Sequence, residues 1–514
     1  MIGGIMRFLV AICLLLAPAT ARAEWLEASS DHFVVYAEAR ATDARLFSQQ
    51  LESYHAAMAA VTGTPNLRPS PSNRLTIYVV SSEAQVRKLY GANSQYIGGF
   101  YIPRAGGSVA IVPRVRATRG QIDTSMITLL HEYAHYFLIG SSNFPMPRWM
   151  SEGAAEFFSS AAFPNDGGVE LGRPAQHRAY ELYMAIDVTA NDLLDPAAYE
   201  KRRGKGYDAF YGKSWLLYHY LTFSPDRKGQ LSRYLTLMSQ GKDPRSAAIE
   251  AFGDFGQLEH ELDRYLLKSR MTMLKLPASM IQTGPVVVQG VSAGANAMMP
   301  VIIRSRRGVD DEGAKAVLAD ARAIASRFPK DPAVLSALAE AEHDAGNDKE
   351  AIAAADAALA NDPKQVNAYV QKGLSLYRMA PDAPDQDEGY KQARATFIAL
   401  NRIENDHPLP LFYYYDSFAR QGKTPSSLAL QGLERASELA PFDLGLRMTL
   451  AMQQLRIGDR KEARRNLLPV AYNPHGGNLA ETASTVLERM DKEPNWDGSG
   501  MSGTGPDNAV AIGP

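Results

Sequence analysis

HEYAHYFLIGSSNFPMPRWMSEGAAE, residues 131–156, is the stretch from which the rest of the chain can be placed. A helix brings residues four apart onto one face, so His131 and His135 can close on one metal ion while Glu132 faces the adjoining pocket. That is a zinc-ligand pair beside a general base. A catalytic zinc takes three protein ligands and keeps one position for water. The candidate third ligand is Glu152, beyond a loop broken by Gly140, Pro145 and Pro147. It falls in a second helical stretch, Arg148 to Ala162, where Trp149, Ala154, Phe157 and Phe158 take the packing positions and Glu152 and Glu156 share a face.

The combination resembles the gluzincin metallopeptidases, in which an HExxH helix is followed by a short crossover and a second helix bearing a glutamate ligand. The likeness is to their aminopeptidase-N-like branch, whose W-x-x-E-G-x-A run is matched by Trp149, Glu152, Gly153 and Ala155. The resemblance implies Zn2+ bound by His131, His135 and Glu152, a water activated by Glu132, and Glu156 orienting a ligand histidine from behind. A further run, Tyr211-Gly212-Lys213-Ser214, is similar to the Y-x-K-G stretch of the same enzymes, with Ser214 in place of glycine. By that match Tyr211 donates a hydrogen bond to the oxyanion, with His219 as the alternative donor. The G-x-M-E-N-type motif that captures a free amino terminus in that branch has no counterpart, because no acidic residue lies between Gly98 and Arg119. The expected specificity is therefore that of an endopeptidase, or an altered end recognition.

The first 23 residues read as a signal peptide. Arg7 precedes the apolar run Phe8 to Ala17, and Ala21-Arg22-Ala23 has the A-x-A form of a cleavage site before Glu24. The expected location is the periplasm or the exterior, with no membrane-spanning segment in the mature chain. The sole cysteine, Cys13, falls inside this leader, so no disulfide is expected. The chain of 514 residues is long enough for two or three domains. It carries 54 Lys+Arg against 56 Asp+Glu, or 52 against 56 once Arg7 and Arg22 of the leader are set aside, which implies no strong affinity for polyanions such as nucleic acid. The basic run Lys201, Arg202, Arg203 and Lys205 reads as a solvated loop, or as a patch favouring acidic substrates.

The expected fold is α+β: a zincin-like metallopeptidase domain over 24–270, with a small mixed sheet plus helices, followed by an all-α tetratricopeptide solenoid. Strands are expected at His32 to Ala37, Arg74 to Val80, Tyr96 to Ile102 and Ser108 to Val112, the last two joined by the turn Arg104 to Gly107. A helix is expected from Thr42 to Val61, and four more at Gln176 to Asp187, Gly206 to Phe223, Gln230 to Gln240 and Phe255 to Ser269. Residues 271–313 read as a connector, with candidate strands at Val286 to Val288 and Pro300 to Ile303.

From Ala314 the chain is alanine-rich and periodic. Leu335, Leu338, Ala339, Ala351, Ala355, Ala358 and Pro363 match the tetratricopeptide frame. The frame recurs at Ala429, Leu433, Ala436 and Pro441, and again at Leu450, Ala451, Ala463, Leu467 and Val470. Between them a repeat opens with Tyr369, Gly373 and Leu376 and closes with Ala393, Phe397 and Leu400, across an insert at Ala380 to Asp387. Four repeats over 314–477, after a half-repeat, predict a curved helical solenoid that binds a protein partner. The tail, 478–514, is expected to be disordered.

Together these features predict an exported zinc peptidase acting on protein or peptide. Two alternatives stand beside it: a periplasmic repeat scaffold with a structural or inactive zinc site, and a zinc amidase acting on cell-wall peptide.

Overall fold

The computed structural model of the protein describes residues 24–499 and 501, apart from 92–97, 115–119, 142–144, 203, 205 and 475. The expected leader, Cys13, Arg203, Lys205 and residues 500 and 502–514 of the expected tail lie outside the described residues. No helix among the described residues is long and apolar enough to cross a membrane.

The β-branched and aromatic runs form a mixed six-stranded sheet. Its strands are β1 (Leu26–Ser29), β2 (Phe33–Ala37), β3 (Leu75–Val80), β4 (Phe100–Ile102) and β5 (Val109–Pro113), with β10 (Val287–Gly290) returning from the connector. Strand order is β10-β1-β2-β3-β5-β4, so β4 is an edge. β2, β3 and β5 run parallel, while β1, β4 and β10 are antiparallel to their neighbours. A smaller four-stranded sheet joins β6 (Gly120–Gln121), β7 (Ala162–Phe163), β8 (Val169–Leu171) and β9 (Leu274–Leu276). The strand expected from Tyr96 is described only from Phe100.

Alternation along the strands divides the core in two. Val35, Ile77, Ala110 and Val112 face α1 (Ala41–Thr62) and α3 (Thr124–Ser141), while α4 (Arg148–Ser159) packs outside α3. Tyr78, Val80, Val109 and Ile111 face the other way, against α2 (Glu83–Tyr90) and a helix at Ala293–Arg307.

That last helix corrects the strand expected at Pro300 to Ile303. Met299 and Ile303 pack on the sheet, and Met298 and Val301 pack on the helices that follow. With both faces apolar the helical period is hidden in the sequence, and the β-branched residues there resemble a strand. The helix also completes the expected half-repeat by pairing with Asp311–Ala325. Four helix pairs follow: Pro332–Asp344 with Asp348–Asn361, Val366–Met379 with Gln386–Ile403, Pro408–Arg420 with Ser427–Leu439, and Leu444–Arg456 with Arg460–Ala471.

The expected disorder from 478 is corrected too. Asn478–Lys492 is a helix whose Ala480, Ala483, Val486, Leu487 and Met490 cover the last repeat, and Trp496 is buried behind it. A terminal repeat needs such a cover, because its outer apolar face has no neighbour. The helix expected over Gln176 to Asp187 is broken into a 3-10 turn, Gln176–Arg178, and Ala179–Met184.

The repeats close back on the sheet. Phe442 packs at a tilt against Tyr136 of α3, ring centres 4.6 Å apart, Glu404 accepts from the Ser72 amide and hydroxyl at 2.9 Å each, and Asp443 accepts from the Ala105 amide at 2.9 Å. Gly106 (φ +69°) lets the β4–β5 turn press against His407, which a Cβ would meet at 2.6 Å.

Candidate metal centre

The α3 helix begins where Asp123 accepts a hydrogen bond from the Met126 amide at 2.9 Å. Its apolar side, including Leu130, Tyr133, Ala134 and Phe137, is buried in the main core. His131 and His135 follow on the flank, their Nε2 atoms 3.1 Å apart.

The α4 helix has every residue from Trp149 to Ser159 buried, because it is held between α3 and the helix Phe210–Phe223. Gly153 permits that approach: a Cβ there would lie 2.4 Å from the Ser214 carbonyl oxygen. The glycine next to Glu152 is thus a packing requirement that sets how far the carboxylate reaches.

Glu152 Oε2 stands 3.3 Å from His131 Nε2 and 3.2 Å from His135 Nε2. With the histidine pair these atoms form a triangle, the one group among the described residues with metal-holding geometry. Tetrahedral ligation at about 2.0–2.1 Å puts donor atoms about 3.3–3.4 Å apart, so the three side chains fit a zinc ion. Two nitrogens and one carboxylate oxygen are also a zinc donor set. Glu152 Oε1 is buried with no hydrogen-bond partner, which leaves that oxygen available to a cation.

Glu156 stands behind, its Oε1 3.1 Å from His131 Nδ1. Its other oxygen is 2.6 Å from His177 Nε2, and Arg178 also donates to the Glu156 carboxylate. On the other histidine, Ser151 Oγ is 3.2 Å from His135 Nδ1. Each imidazole is therefore held through its far nitrogen, which fixes the orientation of the ring.

Burial by itself would raise the Glu152 carboxyl, yet His135 and His131 hold it well below the usual carboxylate range. Burial likewise opposes Glu156, which His131, His177 and Arg178 hold low. Burial lowers the His131 imidazole, but the two carboxylates beside it push it up to about 10. Two buried anions converging on two imidazoles make a site that favours positive charge.

Glu132 is half-buried one residue past His131, close enough to Tyr101 of the edge strand β4 for its charge to act there. Tyr211 is brought near His131 instead. Its ring centre lies 6.5 Å from that of His131, and Arg178 sits 4.9 Å over its face. Burial and then Glu152 raise its hydroxyl pKa, so it stays a proton donor.

His219, the alternative donor, is not available for that role. It is fully buried, with Nε2 3.1 Å from the carbonyls of Gly172 and Thr272 and Nδ1 2.9 Å from the Tyr265 hydroxyl. In the basic run, Arg202 is tied to Asp192 and to the Asp187 carbonyl, while Lys201 is exposed.

Ser151, His177 and Arg178 escaped the sequence reading. Ser151 carried no motif signal, and His177 and Arg178 lie 21 and 22 residues past Glu156, in a turn that only the fold brings back.

No family model matches the chain, and no curated protein does. Among solved structures it is similar to a thermophilic TPR protein of Thermus thermophilus, TTC0263, with 19% identity over 38% of this chain and 100% of that one and a TM-score of 0.33. It is also similar to a MamA RS-1 ArsTM double mutant, with 18% identity over 39% of this chain and 98% of that one (TM-score 0.27). A structure of MamA is a third, with 13% identity over 40% of this chain and 100% of that one (TM-score 0.27).

Proposed function

We propose that the chain is an exported zinc-dependent peptidase, an endopeptidase, whose helical repeats hold a protein partner or the substrate. The observation that carries the reading is the triangle of His131 Nε2, His135 Nε2 and Glu152 Oε2, with a general base one residue from the first ligand. A purely structural zinc site has no use for Glu132.

Zinc, when bound, supplies a Lewis acid that lowers the pKa of water and polarises a carbonyl. Glu132 takes a proton on its carboxylate from the attacking water as the water oxygen bonds to the peptide carbonyl carbon. It returns that proton to the departing amine nitrogen as the C–N bond breaks. Tyr211 donates its hydroxyl hydrogen to the carbonyl oxygen while that oxygen carries negative charge. Glu156 and Ser151 hold the histidines through their Nδ1 atoms, and Arg178 holds both Glu156 and the Tyr211 ring.

The test is cleavage of a complex peptide library by mature, zinc-loaded protein beside Glu132→Gln, read by mass spectrometry. Cuts made only by the unmutated protein are expected, and their positions report whether a free terminus is needed. If neither protein cuts while both hold zinc, the peptidase reading fails.

A second reading, a repeat scaffold with an inactive zinc site, is favoured by one feature: the repeats pack on both the sheet and α3 and line a large cavity away from the candidate metal centre.

A further inference from the structure

Arginines in the helical layer around the metal centre are matched by acids, with one exception. Of those described from 148 to 227, Arg173 stands 3.4 Å from Glu170, Arg178 is held by Glu156 and Glu181, Arg202 by Asp192, and Arg227 by Glu261 at 2.6 Å. Arg148 has no carboxylate in ion-pair reach among the described residues, and rings flank it instead. Its guanidinium carbon lies 4.3 Å from the centre of the Phe210 ring and 6.0 Å from that of Tyr211. The internal segments outside the description, 92–97, 115–119, 142–144, 203, 205 and 475, hold no Asp or Glu that could take the part.

Helix α4 puts this unmatched cation beside the candidate metal ligands. Arg148, Glu152 and Glu156 are spaced by four, so they share a face, and Arg148 sits about 6 Å along the axis from Glu152. Every later residue of α4 is buried, and Arg148 is the one that reaches solvent. His131, Glu132 and Tyr211 are half-buried as well.

The guanidinium still has donors to offer. Stacking on Phe210 uses its face and leaves the edge, and of its five N–H groups the Tyr211 hydroxyl takes one. None of its nitrogens is both buried and unpaired, so the remaining donors open to solvent.

We propose that Arg148 sets substrate preference by binding a carboxylate, on an acidic side chain or a free carboxyl terminus, one or two residues from the scissile bond. An extended chain advances about 3.3–3.4 Å per residue, so that length spans the turn between Arg148 and Glu152. A guanidinium meets a carboxylate through two parallel charge-assisted hydrogen bonds, a fit that an amide or an ammonium does not offer. The preference for acidic substrates considered for the basic run falls to Arg148 instead, since Arg202 is already tied to Asp192. The inference rests on the metal centre being that of a peptidase.

The experiment is calorimetric titration of the full-length mature Glu132→Gln protein, zinc-loaded, with acetylated heptaalanine amides carrying Glu, Gln or Lys at the centre. Acetylated heptaalanine with a free carboxyl terminus is titrated in parallel. The glutamate peptide, the free-carboxylate peptide or both should bind at least about ten-fold more tightly than the glutamine amide. Arg148→Gln should abolish that ratio, whereas loss of a merely structural residue would weaken all the peptides together. Arg148→Met, whose stem still covers Phe210, repeats the measurement should Arg148→Gln fail to fold. A preference for glutamate and a preference for the free terminus both support the proposal, the first as side-chain and the second as end recognition. Equal affinity for all the peptides, tightest binding of the lysine peptide, or a preference that survives in either folded variant overturns it. Library cleavage by the parent is read separately. Cutting without a carboxylate preference removes this inference and leaves the peptidase, while carboxylate-selective binding without cutting removes the peptidase and leaves Arg148 a carboxylate site.

Discussion

Gly153→Ala tests how tightly the metal centre depends on packing. A Cβ at this position meets the Ser214 carbonyl oxygen at 2.4 Å and its carbonyl carbon at 2.8 Å. Neither atom is the end of a side chain that could rotate away. Non-bonded heavy atoms settle at about 3.5–4.0 Å, so α4 and the helix Phe210–Phe223 must separate by roughly 1.1–1.6 Å for full relief. Such overpacking costs on the order of 1–3 kcal/mol, offset by up to ~1 kcal/mol from the better helix propensity of alanine. Glu152 is the preceding residue and moves with the helix. A metal constellation tolerates about 0.5 Å of displacement, so zinc affinity should fall about ten-fold or more. Thermal unfolding with and without zinc, together with competition against a chelator, reads both effects. Adding Ser214→Gly should rescue neither, because the atom struck belongs to the backbone. A melting temperature within a degree of the parent and an unchanged zinc affinity would refute the argument.

Three further outcomes follow from the structure. Glu156→Gln should weaken zinc binding by about 10–100-fold while leaving the fold intact, because it loosens His131 rather than removing a ligand; a chelator competition curve that superimposes on the parent's would contradict this. Burial holds His55 down to about 3 and His219 to about 4, so both are neutral in the folded chain and protonate more readily when it unfolds. Their contribution is complete above pH 6.5 and is lost as pH falls toward 4, on the order of 3 kcal/mol from His219 alone; equal urea midpoints at pH 7.5 and 4.5 would show the sign to be wrong. Phe442→Ala removes the ring packed against Tyr136, at a cost of about 3–5 kcal/mol, and should speed hydrogen exchange in the second half of α3; unchanged protection there would mean the repeats do not brace α3.

Much of the candidate site was legible because its signals are local. The HExxH spacing puts two histidines on one helical face whatever surrounds the helix, and a glutamate beside a glycine on the next helix needs only a short crossover to reach them. The repeat frame was readable for a similar reason: small residues recur wherever two antiparallel helices touch, and each repeat is a local unit. Helix Ala293–Arg307 was missed because it is apolar on two faces, and helix Asn478–Lys492 because its five core positions sit among polar neighbours and matter only against the last repeat.

By itself, then, the sequence determined the helix bearing His131, Glu132 and His135, the glutamates that follow, and the tandem repeats. Tertiary structure alone decided that Ser151, His177 and Arg178 hold the site from behind, that His219 is occupied elsewhere, and that the repeats brace α3 through Phe442. The physical reason is separation along the chain. Periodicity and motif spacing report contacts made within a turn or two, whereas these contacts form only after the sheet has drawn distant segments together, and neither partner carries a mark of the other.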